Sequence, residues 1–284
     1  MKNLTLKTVV LNALIILVGQ YAIAQKQDSI KRKKHAYSIT LGGGKIIKVE
    51  KIDSLAKLDS GTVAEKDCLK KCDKKDNVGF FSGITFTRLD FGFSKLIDNG
   101  SFALSPANQF LDFRASKTSH LSFDVLQLGY RFTPKFKMYI AAGFDWTLIR
   151  LRQNITMQKN MPVLTYVNDN VSFSKNRFSS SYLHIPLNFE YRTKTDKKGN
   201  RFYVVAGPEV AFLLNAKLKQ ISSERGKQKS YDDYNFSPFR FGGTLRMGYD
   251  GIGLFVKYYA TDMFDSVQQK GLKNMAFGVT FGLN

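Results

Sequence analysis

Residues 182–191 read Tyr-Leu-His-Ile-Pro-Leu-Asn-Phe-Glu-Tyr. Leu183, Ile185, Leu187, Phe189 and Tyr191 fall on one side of this stretch. Tyr182, His184, Pro186, Asn188 and Glu190 fall on the other. Only an extended strand sends successive side chains to opposite faces; a helix gathers every third or fourth residue. One face is hydrocarbon and aromatic throughout. The other holds an imidazole, an amide and a carboxyl. The segment therefore predicts a strand that separates an apolar medium from a confined polar one.

The same alternation spreads both ways along the chain. Lys137 to Leu148 sets Met138, Ile140, Phe144, Trp146 and Leu148 against Tyr139, Gly143, Asp145 and Thr147. Phe202 to Leu214, Phe239 to Tyr249, Gly251 to Tyr259 and Met275 to Leu283 repeat it. Two further strands, Phe80 to Leu96 and Ser119 to Phe132, shift phase midway, which a bulge in each would reconcile. Short turns such as 133–136 and 249–251 alternate with long connections such as 97–118, 153–179, 220–235 and 261–273. An even set of strands with short turns at one end and long loops at the other predicts an all-β fold. Its form is an eight-stranded antiparallel up-and-down transmembrane β-barrel over 79–284. In hydrocarbon, only closure gives every backbone donor a partner. A water-soluble barrel would turn the apolar face inward and needs a strongly polar outer face. The opposite face here is mostly Gly, Ala and Thr with a few charges, which suits a narrow interior. Pro186 and Pro208 lack a ladder donor, so a bulge or bend is expected at each.

Composition agrees with that outline. The chain has 284 residues, among them 24 Phe, 13 Tyr and 22 Gly, and a formal charge of +20. Two Cys exclude a disulfide scaffold and a thiolate zinc cluster. The apolar run Val9 to Gly19 is too short for a helical span, which needs about 20 residues. With Lys2 and Lys7 before it and Ala22-Ile23-Ala24 after it, the run reads as a secretory signal peptide, 1–24, cut after Ala24. Residues 25–78 are charged and poor in aromatics, a flexible periplasmic linker or arm. Its Lys31-Arg32-Lys33-Lys34 run makes it a candidate docking arm for an acidic protein partner. Cys68 and Cys72 lie in this arm as a candidate local disulfide; so short a ring adds little stability.

The inward positions of the clear strands include Asp145, Glu190, Glu209, Arg240, Arg246 and Lys257. Three acids and three bases in a narrow lumen predict a plug of salt bridges, since isolated charges there are costly. The alternative is a polar conduit, a narrow porin for small solutes. Arg150, Arg152, Lys175, Arg177, Lys217 and Lys219 cluster at the outer rim, where they would pair with lipopolysaccharide phosphates. Export argues against nucleic acid as a partner. No paired carboxylates, phosphate loop or metal-ligand spacing appears, so no cofactor and no enzymatic role is expected. His120, with Ser116, Ser119 and Asp112 nearby in sequence, is too weak a constellation to predict catalysis.

The stretch Tyr182-Leu183-His184-Ile185-Pro186-Leu187, the basic turn after it, and Tyr203-Val204-Val205-Ala206-Gly207-Pro208 resemble a known family. So do Gly251-Ile252-Gly253-Leu254, the ending Phe277 to Phe281, and Gly44-Lys45-Ile46-Ile47-Lys48-Val49 in the arm. The family is that of the small outer membrane β-barrel proteins common in Bacteroidota, called porin-family or PorT-like. The resemblance implies a Gram-negative outer membrane, insertion by the barrel assembly machinery, and no agreed activity. By analogy it adds an accessory role in protein secretion or surface assembly. The chain ends Leu283-Asn284 where many such barrels end in an aromatic residue.

Overall fold

The computed structural model describes residues 78–197 and 199–282, and the side chains of all of these except 85–87. The expected signal peptide, the arm up to residue 77 and the Cys68–Cys72 pair lie outside the described residues. No helix among the described residues is long and apolar enough to cross a membrane.

Eleven strands run among the described residues. They are β1 (Gly79–Asp98), β2 (Ser119–Thr133), β3 (Phe136–Arg150), β4 (Ile155–Met157), β5 (Tyr166–Asn168), β6 (Lys175–Arg192), β7 (Phe202–Ser222), β8 (Gly226–Asp232), β9 (Phe239–Tyr249), β10 (Ile252–Tyr259) and β11 (Leu272–Gly282). All pairings are antiparallel. They run β1–β2, β2–β3, β3–β6, β6–β7, β7–β9, β9–β10 and β10–β11, and β11 pairs β1. Each of these strands therefore has a neighbour on both sides, and they coincide with the segments read from the alternation. The other three are short. β4 and β5 make a two-stranded hairpin inside the β3–β6 connection, and β8 pairs with the last residues of β7.

Several strands outrun their expected ends. β6 starts at Lys175 rather than Tyr182, and β7 continues to Ser222 rather than Leu214. Past the greasy stretch the outward positions become Ser, Lys and Arg. Contrast between faces fades there while the hydrogen-bonded ladder continues. The two phase shifts do mark irregular pairing. The β1–β2 register shifts between Ile84 and Arg88, opposite Asp124/Leu126. The β2–β3 register shifts at the same Asp124/Leu126 step. Val125 is the one extra residue of β2 against β3, three residues of β1 stand against it, and the outward alternation resumes on both sides of the break.

The prolines correct the expectation of a bulge. Around Pro186 the β3–β6 ladder passes from Ile140↔Leu187 to Gly143↔His184 with its register unchanged. Around Pro208 the β6–β7 ladder passes from Pro186↔Glu209 to Phe189↔Ala206, again in register. Each proline removes the rungs that need its N–H and keeps the strand in step. The β6–β7 register shift lies elsewhere, between Ser181 and Tyr182, where Leu214 is the extra residue.

Polarity follows the pleat. Phe80, Ile84, Phe91, Ile140, Ile252 and Leu254 are all more than half exposed. Trp146 is half-buried, and Phe189 and Phe281 lie on the exposed face. Arg246, Glu190, His120 and His184 are fully buried. This is the reverse of a water-soluble domain, in which large apolar side chains fill the interior and charges stay out of it. At the turn end Tyr130, Phe132, Phe136, Tyr191, Phe202 and Tyr249 add an exposed aromatic border.

Candidate functional site

The buried charges form tiers along the strands, from the turn end toward the long loops. Nearest the turns, Glu190 of β6 accepts from Arg88 at 2.8 Å, lies 3.3 Å from Lys137 and also pairs with Arg192. Arg88 Nε donates to the Tyr139 hydroxyl at 3.3 Å, and its guanidinium lies over the Tyr203 ring. In the next tier Arg246 of β9 grips Asp90 of β1. Its Nε is 3.0 and 3.2 Å from the two carboxylate oxygens, and Nη2 is 2.7 Å from Oδ2.

Above this pair lies a larger cluster. Lys257 Nζ is 2.9 Å from Asp145 and 3.0 Å from Glu209. The Tyr259 hydroxyl bonds both of those carboxylates, at 3.0 and 2.6 Å. His184 sits 3.2 Å from Asp124 and 3.5 Å from Glu209, and His120 lies 3.6 Å from Asp145. Gly143 leaves room for the His184 ring, because a Cβ there would lie 2.7 Å from Nε2. Asp145, His184 and Glu209 offer ligand atoms within 4.8 Å of one another. The Lys257 ammonium already stands between the two carboxylates, so a divalent cation would face a fixed positive charge there.

Arg240 closes the polar column. It is 1% exposed, and its guanidinium stacks 4.1 Å from the Tyr182 ring centroid and 5.6 Å from that of Tyr259. Aromatic faces rather than a carboxylate hold this charge.

Over Arg240 the long connections fold into an apolar lid. Phe110, Leu111 and Phe113 come from the first, Leu151, Ile155, Met157 and Leu164 from the second, Tyr234 and Phe236 from the third, Met263 and Phe264 from the fourth. Phe178 of β6 packs against Tyr234 and Phe236, with ring centroids 5.3 and 4.9 Å away. Polar stitches fix the second loop to the strands. Asn176 donates to the Ile155 carbonyl at 2.8 Å and Gln220 to the same oxygen at 3.0 Å. Asp169, in this loop, accepts from Thr156, Arg225 and the Val171 amide. Desolvation opposes its ionisation, but those donors and the Arg225 charge outweigh it and hold the carboxyl below its ordinary value.

Each residue predicted for the interior is buried: Asp145, Glu190, Glu209, Arg240, Arg246 and Lys257. The structure adds Arg88, Asp90, Asp124, Lys137 and His120 to them, and it buries His184, which the alternation already set on the inward face. Arg88, Asp90 and Asp124 lie in the two phase-shifted strands, where the inward face is readable only once the bulge is placed. His120, the second residue of β2, is walled in beside Asp145.

The rim bases divide. Arg152 is exposed and already paired with Asp112 at 3.3 Å. The others share a face. Arg150 of β3 stands opposite Arg177 of β6, Arg177 opposite Lys219 of β7, and Lys219 opposite Lys229 of β8. Paired residues point the same way, and the next positions inward, Ile149, Phe178 and Leu218, are buried. The row therefore faces outward. Lys175, Lys217 and Lys227 flank it on the same strands.

Residues 73–284 match the family model described as an outer membrane protein beta-barrel domain. No curated protein matches the chain. With three quarters of its length in that match, the chain belongs to this outer membrane β-barrel family.

Proposed function

We propose, from that family membership, that the protein is a closed eight-stranded barrel of the outer membrane. Its role is structural or interactive rather than enzymatic, and its lumen is plugged by side-chain ion pairs. One observation carries the reading: large apolar side chains cover the outward face while charges are buried behind them. The outward residues of β3 from Phe136 to Leu148 run about 40 Å at about 3.3 Å per residue, or roughly 30 Å along the normal at a tilt of about 40°. That matches a bilayer core. Heat-modifiable gel mobility of the outer-membrane fraction tests it. A compact band that slows on boiling is expected; recovery in the soluble periplasmic fraction would end the reading.

The tiers from Glu190 to Arg240, followed by the apolar lid, favour a plug over a porin. An eight-stranded barrel has an interior just wide enough for side chains. In planar bilayers the purified protein is expected to give no steady ohmic steps. Regular single-channel conductance would favour the narrow porin instead.

Arg150, the first outward residue past Leu148, starts the basic row at the level where lipid phosphates lie. We assign Arg150, Arg177, Lys219 and Lys229 to the lipopolysaccharide of the outer leaflet. A base near an anionic lipid surface contributes about 1 kcal/mol. Arg177→Gln with Lys219→Gln should therefore weaken lipopolysaccharide binding by about 2 kcal/mol, roughly thirtyfold. Lipopolysaccharide retained through purification of wild type and variant, at low and high salt, measures this. Equal retention removes the row from the interface.

A further inference from the structure

The first long connection leaves a hollow beside β1 that neither the plug nor the basic row uses. After Leu89, Phe91 and Phe93, the next outward residue of β1 is Lys95, because Ser94 and Leu96 are buried. β2 begins at Ser119, opposite Phe93, so past that rung β1 is flanked on this side by the connection instead of a strand. Two backbone bonds draw the connection across to the end of β3. The Arg152 amide donates to the Asp112 carbonyl at 2.9 Å, and the Arg114 amide to the Arg150 carbonyl at 2.8 Å. A cavity of about 350 Å³ lies between these segments, with Lys95, Phe102, Gln109, Asp112, Phe113 and Arg152 in its walls.

Those walls combine an aromatic ring, planar polar groups and a cation without a counter-charge. Phe102 is 58% exposed. The Lys95 ammonium lies 5.7 Å from the ring centroids of both Phe102 and Phe113. Among the described residues no carboxylate comes within ion-pair distance of it, so ring faces alone hold the charge, at about 0.5–1 kcal/mol each in an exposed place. Arg152 commits Nε to Asp112 Oδ2 at 3.3 Å and to the Phe113 carbonyl at 3.1 Å. Its two terminal nitrogens and Asp112 Oδ1 make no hydrogen bond among the described residues. The ion pair therefore presents donors and an acceptor side by side, from side chains that are about half exposed.

We propose that this cavity binds an acidic sugar, a pyranose that carries a carboxylate. Its opening lies outside the cell in the barrel reading above, on which the assignment rests. A pyranose has a face of C–H groups and a rim of hydroxyls that both donate and accept. An aromatic ring meets the first, and the carboxylate, guanidinium and amide of Asp112, Arg152 and Gln109 meet the second. Lys95 adds what a neutral sugar does not satisfy, an ammonium in need of an anion. A small free anion would answer Lys95 alone, and Asp112 would repel it. The volume lies at the low end of small-molecule sites and admits a single ring with its linkage. Two sources bring such a sugar here, the acidic core sugars of lipopolysaccharide in the outer leaflet and acidic polysaccharide in the surroundings.

The test uses the full chain in nanodiscs with phosphatidylcholine as the only lipid, so its result does not depend on the basic row. Glucuronate, galacturonate, glucose and acetate are the probes, followed by saturation-transfer NMR. Saturable binding of both uronates is expected, about tenfold tighter than glucose and not displaced by equal acetate. Lys95→Gln should weaken glucuronate about tenfold and leave glucose as it was, which erases the preference. Phe102→Ala should weaken both sugars about fivefold, because the ring face serves either. Heat-modifiable mobility of each variant verifies the fold, so lost binding with an intact mobility shift is an effect at the site. If a variant does not fold, the preference of the wild type for uronate over glucose and acetate still decides. A parallel arm adds rough lipopolysaccharide to the nanodisc. Loss of glucuronate binding in that arm supports the site and assigns it to the core sugars; unchanged binding supports it and assigns it to soluble polysaccharide. Absence of saturable uronate binding to the wild type, equal binding of glucose, displacement by acetate, or indifference to both substitutions overturns the proposal. Failure of membrane insertion would instead appear in the mobility assay before any sugar is added.

Discussion

Arg246→Leu is expected to destabilise the folded barrel by about 3–5 kcal/mol, the usual cost of removing one partner of a buried ion pair. Arg246 is fully buried, and its guanidinium holds both oxygens of Asp90 from the far side of the sequence. Leucine fills part of the volume and leaves the Asp90 carboxylate, 1% exposed, without its cation. The loss lies mainly in that stranded charge rather than in the missing contact. The double variant Asp90→Leu with Arg246→Leu should therefore recover much of the stability, because neither charge then needs solvating. The temperature at which the compact band converts to the slow one reads both. A single variant as stable as wild type, or a double no better than the single, would remove the ion pair from the forces that hold the barrel.

The alternation at 182–191 was enough to read the strand, its faces and the charges it turns inward. It worked because β6 lies between two neighbours and meets lipid-like exposure on one side only. The inward charges of β3, β7, β9 and β10 were legible for the same reason. Arg88, Asp90 and Asp124 were not, because the bulge reverses parity within their own strands and no residue type announces where the extra position falls. The partners were out of reach altogether. Arg246 and Asp90 lie 156 residues apart, and Lys257 and Asp145 lie 112 apart. Only the cyclic order of the strands brings them together. The lid was missed because its apolar residues are scattered singly among polar loop residues. Their side chains converge from separate connections, which no local period records. The basic row was visible as a cluster in sequence, but its alignment across β3, β6, β7 and β8 depends on register.

Gly207→Ala is expected to abolish the compact heat-modifiable form, while Gly243→Ala is expected to leave it intact. The two glycines lie on paired strands one rung apart, and composition gives no reason to separate them. Their surroundings do. A Cβ on Gly207 would collide with the Leu187 carbonyl oxygen and lie 2.9 Å from its carbon. Those are backbone atoms of β6, at the place where Pro208 has already removed rungs from the β6–β7 ladder. A flexible side chain could swing aside; a strand fixed between two neighbours can do so only by opening the ladder on one side. That cost exceeds the roughly 1–3 kcal/mol of ordinary overpacking. It arises while the sheet is forming, so the expected result is failure of assembly rather than a weakened barrel. On Gly243 the nearest atom to a Cβ is the Gly207 carbonyl oxygen at 3.5 Å, an ordinary contact. Gly243→Ala should shift the conversion temperature by no more than a surface substitution would, within about 0.5 kcal/mol. Expression of both variants and comparison of boiled and unboiled samples decides the matter. A folded Gly207→Ala barrel would mean that β6 and β7 stand farther apart at this rung than their backbone positions indicate.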